Sequence, residues 1–190
     1  MALTDSAVFT AAKGYIYTGA VDATAPTTDN IYDFVDQSTT VSGFTLIGHT
    51  SRDDLPEFGF DGGDTEARGT WQNEALRTVV TEAAVDFVTF NLVQWDADTL
   101  ELYYGQANTQ SNGAYGLASS PGGATEASFL IVIVDGPRKI AFWAPKVELR
   151  REDAATLAVD EFSALPMRAT FLKSGSLDLF RWIPGIDGGS

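Results

Sequence analysis

His49 is the single histidine of the chain, and cysteine is absent from its 190 residues. A nucleophilic triad needs a base beside its serine, and no Gly-x-Ser-x-Gly elbow surrounds any serine here. A solitary histidine is ordinarily a structural or surface residue rather than a general base. One histidine and no thiolate leave a zinc site short of its usual ligands. Asp53, Asp54, Asp61, Asp64 and Glu66 lie close in sequence, but their spacing does not fit a twelve-residue calcium loop ending in a bidentate glutamate. Turn-forming aspartates on a solvated hairpin account for them. A glycosidase needs two carboxylates facing each other across a cleft, and nothing singles out two among 26 acidic residues. Gly62-Gly63 stands between strand-like runs, so it is neither a Walker loop nor a dinucleotide fingerprint. Trp71, Trp95, Trp143 and Trp182 could form a sugar-binding platform, although large aromatics more often bury area in a core or an interface. The expectation is no catalytic residue, no metal and no cofactor.

Charge narrows the partners. Twelve basic residues against 26 acidic ones give a net charge of -14, whereas proteins that grip nucleic acid neutralise phosphates with Lys and Arg. Arg150-Arg151 is interleaved with Glu148, Glu152 and Asp153, which favours ion pairing over a nucleic-acid patch. The acid excess either solubilises the surface or belongs to a wall that lies beside DNA without adhering to it. Screening over ~8 Å means that only charges near such DNA would matter. No apolar run reaches the ~18–20 residues that span a bilayer. The start MALTDSAVFTAAKG lacks the basic opening and apolar core of a secretory signal, so a chain made and folded in a cytoplasm is expected. Its length suits one domain, residues 1–190, with a full core.

The elements around these residues read mainly as β. Leu55 to Phe60 and Asp64 to Trp71 are joined by Asp61-Gly62-Gly63, a tight-turn signal, and a second reversal at Gln72-Asn73-Glu74 leads into Leu76 to Glu82 and Ala84 to Val93. Two consecutive hairpins are expected. Phe129 to Val134 is continuously apolar, as in a strand buried on both faces. Ile140 to Trp143 returns antiparallel. Lys146 to Glu152 alternates, with Val147 and Leu149 inward. Phe162 to Lys173 contains Pro166, which lacks a donor and predicts an edge strand or a bulge. Asp96 caps a helix ended by Gly105, with Leu100, Tyr103 and Tyr104 packing on one face; no other segment reads convincingly as helix. Residues 1–13 form an N-terminal arm and 174–190 a C-terminal strand and arm. Residues 19–43 are a long loop carrying the apolar cluster Ile31, Tyr32, Phe34 and Val35, expected to dock on a partner. Gln106 to Thr125 is a second surface loop. The fold class is an antiparallel β-sandwich or distorted barrel with one flanking α-helix, an extended loop and terminal arms.

The segment HTSRDDLPEFGFDGGDTEARGTWQNEALR, His49 to Arg77, resembles the major tail tube proteins of long-tailed phages, closest to those infecting actinobacteria. DADTLELYYG (Asp96 to Gly105), KVELRRED (Lys146 to Asp153) and FSALPMRATFLK (Phe162 to Lys173) carry the same resemblance. It implies the tail tube fold and a structural virion protein without enzymatic activity. Such subunits polymerise as stacked hexameric rings into a tube that conducts DNA from capsid to host. The partners implied are further copies of the chain, a tape measure protein inside the lumen, and tail terminator and distal tail proteins at the ends. Genomic DNA passes through without specific binding, and no membrane is involved. The localisation implied is the virion tail, assembled in the host cytoplasm. Glu57, Phe58, Asp61, Asp64, Glu66, Arg68 and Trp71 are then expected on the lumen wall, and Ile31, Tyr32, Phe34 and Val35 between rings. A closed ring also removes the unpaired strand edges that endanger an isolated β subunit. The alternatives are a carbohydrate-binding or adhesin β-sandwich of the tail, using the tryptophans, and a hydrolase with a carboxylate pair.

Overall fold

Phe129 to Val132 sends successive side chains to opposite faces, and each face finds its own core. The computed structural model describes residues 3, 7–105, 114–117 and 123–185. The strands are β1 (Lys13–Gly19), β2 (Phe44–Leu46), β3 (Glu57–Asp61), β4 (Thr65–Thr70), β5 (Asn73–Val80), β6 (Val85–Leu92), β7 (Thr125–Asp135), β8 (Arg138–Arg151), β9 (Leu165–Phe171) and β10 (Arg181–Pro184). They run antiparallel in the order β2-β1-β7-β8-β9-β6-β3, with β10 also on β8. The expected mainly β, antiparallel fold is thus present.

β8 turns this sheet over on itself. Its first half carries β10, from Trp143↔Arg181 to Ile140↔Pro184, and its second half carries β9, from Val147↔Phe171 to Arg151↔Met167. Between the halves the register on β7 slips from Ala127↔Val147 to Phe129↔Ala144. Pro145 falls in that slip, a place where a strand loses nothing by lacking a donor. Beyond it the sheet curls until β6 lies over β7. The Phe90 and Phe129 rings meet at 5.6 Å although their strands are not paired. Val88, Phe90, Leu92, Phe129, Ile131, Phe142, Val147, Leu149, Leu165 and Met167 fill this first core. Tyr17, Leu130, Val132, Ala141 and Trp143 form the second, on the opposite face of β1, β7 and β8. Burial there pushes the Tyr17 hydroxyl up to about 12.

Residues 19–43 are more than the long loop expected. They contain a second helix, α1 (Thr28–Tyr32), started by a reciprocal cap in which Thr27 and Asn30 each accept the other's backbone N–H, at 3.2 and 3.1 Å. Lys139 Nζ donates to the Tyr32 carbonyl at its other end. Ile31 and Phe34 are fully buried in the second core, while Tyr32 and Val35 stay exposed. A five-residue helix shows too little of its period to be read locally.

The helix α2 (Ala97–Tyr104) has the expected ends. Asp96 accepts from the Thr99 N–H at 3.0 Å, and Gly105 is left-handed with φ +67°. Tyr103 enters the first core and donates to the Asp153 carbonyl at 2.6 Å, and Leu100 and Tyr104 pack beside it. The Thr99 backbone N–H, opposed by some desolvation and helped by Gln94, holds the Asp96 carboxyl below its usual value. A lowered folded-state value stabilises the fold above the unfolded value and loses that contribution as pH falls. Asp96→Ala is therefore expected to cost about 1 kcal/mol at neutral pH. In urea titrations this deficit should shrink as pH falls from the unfolded carboxylate value through the lowered folded-state one.

Two further expectations change. β3 does not pair with β4: Asp61-Gly62-Gly63 makes no reversal. β3 pairs with β6 from Glu57↔Thr89 to Asp61↔Val85, and β4 pairs with β5 from Thr65↔Val80 to Thr70↔Asn73. The segment is one long hairpin with its tip at Trp71-Gln72, and Gly62 (φ +75°) and Gly63 (φ +81°) bend its outgoing side. Pro166 is also not at an edge, since β9 lies between β8 and β6 without a register shift. The Pro166 carbonyl accepts from the Glu152 N–H at 2.9 Å, just past the last β8–β9 pair. The missing donor therefore forgoes only the terminal bond of that ladder.

The described part of the N-terminal arm runs along the β7–β8 turn. Thr10 N–H donates to Asp135 Oδ2 at 3.0 Å, and Arg138 donates to the Val8 carbonyl at 2.7 Å. The rest of that arm, most of Gln106 to Thr125 and residues 186–190 lie outside the described residues.

Candidate assembly surfaces

Across β8, β9, β6 and β3 the face opposite the first core is polar. The registers Glu57↔Thr89, Thr89↔Arg168, Arg150↔Arg168, Glu148↔Thr170 and Glu126↔Glu148 set these side chains in rows on one surface, and Asp61 joins them at the end of β3. Arg168 is its fixed point. This arginine is 9% exposed, ion-pairs with Asp61 and with Glu152 (3.1 Å), and lies 3.5 Å over the Phe87 ring. A Cβ on Gly59 would stand 2.7 Å from that ring, so β3 comes this close to β6 because residue 59 has no side chain. Lys146 bridges to Glu126 at 2.9 Å.

The two ends of this ion pair are not equivalent. Asp61 is mostly in water while Arg168 is not. Arg168→Met should cost about 1 kcal/mol, because the carboxylates left behind are hydrated. Joint replacement Asp61→Asn and Glu152→Gln leaves a buried cation without a partner and should cost about 3 kcal/mol. Urea unfolding of the two variants compares them directly.

Beyond Asp64 the hairpin leaves the body of the protein. Every residue of β4 is exposed, and so is β5 apart from the half-buried Val79. Neither strand contributes to a core. Cross-strand pairs share a face, so Thr65, Ala67, Leu76, Thr78 and Val80 form one side of this arm. Glu66, Arg68, Ala75, Arg77 and Val79 form the other. Trp71 at the tip is 98% exposed. Gly69 lets the strands close at the bulge, for a Cβ there would stand 2.2 Å from the Glu74 carbonyl oxygen. The outer edges of β2 and β3 pair with no described strand.

The expected site residues therefore fall in three places. Glu57 and Asp61 lie on the polar face, and Phe58 turns to the other side, against the rings of Phe142 (4.8 Å) and Trp182 (5.3 Å). Asp64 is at the root of the arm, accepting through its carbonyl from the Thr81 N–H at 2.8 Å. Glu66, Arg68 and Trp71 are on the arm itself. Of the loop cluster only Tyr32 and Val35 face outward. Sequence reasoning missed Arg168, a lone base in an apolar strand, and the exposed run Leu157, Val159 and Phe162.

Chemistry finds no centre among the described residues. No three His, Asp or Glu side chains converge as a metal set. His49 is exposed and donates its backbone N–H to Gln94 Oε1. It borders a cleft of about 400 Å³ whose lining includes Lys13, Arg52, Leu55 and Phe58 but no carboxylate. The four tryptophans form no common platform: Trp71 is at the arm tip, Trp95 donates to the Ser163 carbonyl, and Trp143 is buried in the second core. Trp182 lies on the opposite side, edge-on to the Phe142 ring.

What remains is a β subunit with a polar sheet face, open edges and an arm that reaches away from it. The major tail protein of Mycobacterium phage L5 is 42% identical over 188 residues, covering 96% of this chain and 93% of that protein. The major tail protein of Mycobacterium phage D29 is 41% identical over 187 residues, with the same coverage. The family model described as phage tail tube protein matches residues 1–185. With such a match over nearly its whole length, the chain belongs to the phage tail tube protein family, a structural family and not an enzyme family.

Proposed function

We propose that copies of this chain close into sixfold rings, that the rings stack into the tail tube of a virion, and that the tube conducts DNA. The observation that carries this reading is the β4–β5 arm, which is solvated on both faces. A two-stranded hairpin is marginal in water by itself, and its exposed Leu76 and Val80 gain nothing until a second surface covers them. The free edges of β2 and β3 supply strand pairing between neighbours, and a cyclic arrangement leaves no edge over.

In this reading the polar face of β8, β9, β6 and β3 is the lumen wall, with Glu57 and Asp61 on it. Its acids outnumber its bases and would repel a passing duplex, which carries about one charge per 1.7 Å. Tyr32 and Val35 are the exposed members of the apolar cluster in the 19–43 loop and are available to a neighbouring ring. The tape measure protein would occupy the lumen during assembly in the host cytoplasm, with terminator and distal proteins at the ends. Negative-stain microscopy and light scattering of the purified chain are expected to reveal rings or hollow tubes. A monomer that persists at high concentration, with no tubes in any buffer, would sink the proposal.

A further inference from the structure

Arg68 and Arg77 stand directly opposite each other on one face of the arm. Like charges in that position oppose pairing, and among the described residues the one counter-charge paired with them is Glu66, 3.5 Å from Arg68 in an exposed contact. Such a weak, solvated pair offsets little. In a chain of net charge -14, an exposed arginine pair on an arm tipped by the exposed Trp71 is built to meet an acidic, apolar surface. The chain itself carries one. Between β8 and β9, Leu157 (80%), Val159 (100%) and Phe162 (79%) stand exposed, flanking Asp160 and Glu161, and no basic residue occurs from 152 to 167.

This turn is held in place rather than loose. Thr156 and Ala164 exchange two backbone hydrogen bonds at 2.9 Å, the Ala158 N–H donates to Ser163 Oγ at 3.2 Å, and Trp95 Nε1 donates to the Ser163 carbonyl at 3.0 Å. Three large apolar side chains are thus presented on a fixed turn, at a cost in solvent exposure that burial alone would recover. The arm offers the matching chemistry: Arg68 and Arg77 on one face, Leu76 and Val80 on the other, and Trp71 at the tip.

We infer that the β4–β5 arm of one copy docks through its arginine face on the 156–164 turn of another, with Arg68 and Arg77 bonding Asp160 and Glu161 and Trp71 at the tip covering the exposed apolar side chains of the turn. The inference rests on the self-assembly proposed above and names its partner surface. Opposite charges across an interface set register and partner choice, and a like-charge clash there costs several kcal/mol.

Tube formation by the full chain tests it. Arg68→Glu with Arg77→Glu, or Asp160→Arg with Glu161→Arg, should each raise the concentration at which tubes appear by about 100-fold. The chain carrying all four changes should return to within about threefold of wild type. Because the chain has no cysteine, a second readout is clean. Arg77→Cys and Asp160→Cys chains, assembled together and treated with a short bis-maleimide, should give a cross-linked dimer that neither variant gives alone. Wild-type chains that form no tubes would overturn the self-assembly reading itself. Wild-type tubes that tolerate either reversal, or a quadruple variant no better than the single-side reversals, would overturn the docking. Absence of the mixed dimer from assembled tubes would do the same.

Discussion

Replacing residues 65–80 with Asn-Gly is expected to leave a folded monomer that no longer forms tubes. Asp64 and Thr81 already face each other through the 2.8 Å bond from the Thr81 N–H to the Asp64 carbonyl. A two-residue turn can therefore close the hairpin at that point. No residue of β4 or β5 belongs to either core, so the apolar burial that holds the fold is untouched. The melting temperature should change by less than about 3 °C, the shift that about 1 kcal/mol produces in a domain of this size. Assembly should respond very differently, because the excision removes Trp71, Leu76 and Val80, three of the chain's exposed large apolar side chains. Calorimetry and negative-stain microscopy on the same preparation separate the two effects. Tubes of normal length from the shortened chain would mean that the arm is ornament and that the sheet edges suffice.

The arm also marks where the sequence stops being readable. Asp61-Gly62-Gly63 has the residues of a tight reversal, and both glycines do take positive φ. The same backbone state serves a bend, and only the pairing of Glu57 with Thr89, a partner 32 residues away, decides between them. Local chemistry fixes the φ and not the partner. Where an element is defined by its own residues, the reading is good. Phe129 to Val132 is buried on both sides, Val147 and Leu149 point inward, and Asp96 and Gly105 bound α2. Pro166 misled because the rule concerns a lost bond, and at the end of a ladder there is almost none to lose.

The site was legible to the same limited depth. Its residue types pointed away from chemistry, and the family match agrees with that. Which side chains share a surface depended on registers that alternation alone cannot supply. Phe58 and Glu57 are neighbours in sequence and fall on opposite faces of β3. Arg168 looks like an interruption of an apolar strand until Asp61 and Glu152 are brought to it from 107 and 16 residues away. These are long-range facts of the folded chain.

The loop between β1 and β2 shows how an adhesive-looking cluster can belong to the interior. Phe34 is fully buried, its ring 5.3 Å from Tyr15 and 6.4 Å, edge-on, from Tyr17. Ile31 beside it is equally buried. With Val41 and Ile183 they cover the face of β1, β7 and β8 that presents Leu130, Val132 and Trp143. Phe34→Ala is therefore expected to cost about 3–5 kcal/mol, the range for emptying a fully buried phenylalanine site. Val35→Ala, one residue on and mostly in solvent, should cost less than about 0.5 kcal/mol. Removing the whole loop should yield an insoluble chain rather than a folded subunit that fails to stack. Urea unfolding of the two point variants decides the matter. A stable Phe34→Ala chain that merely assembles poorly would return the loop to the surface, and Phe34 with it.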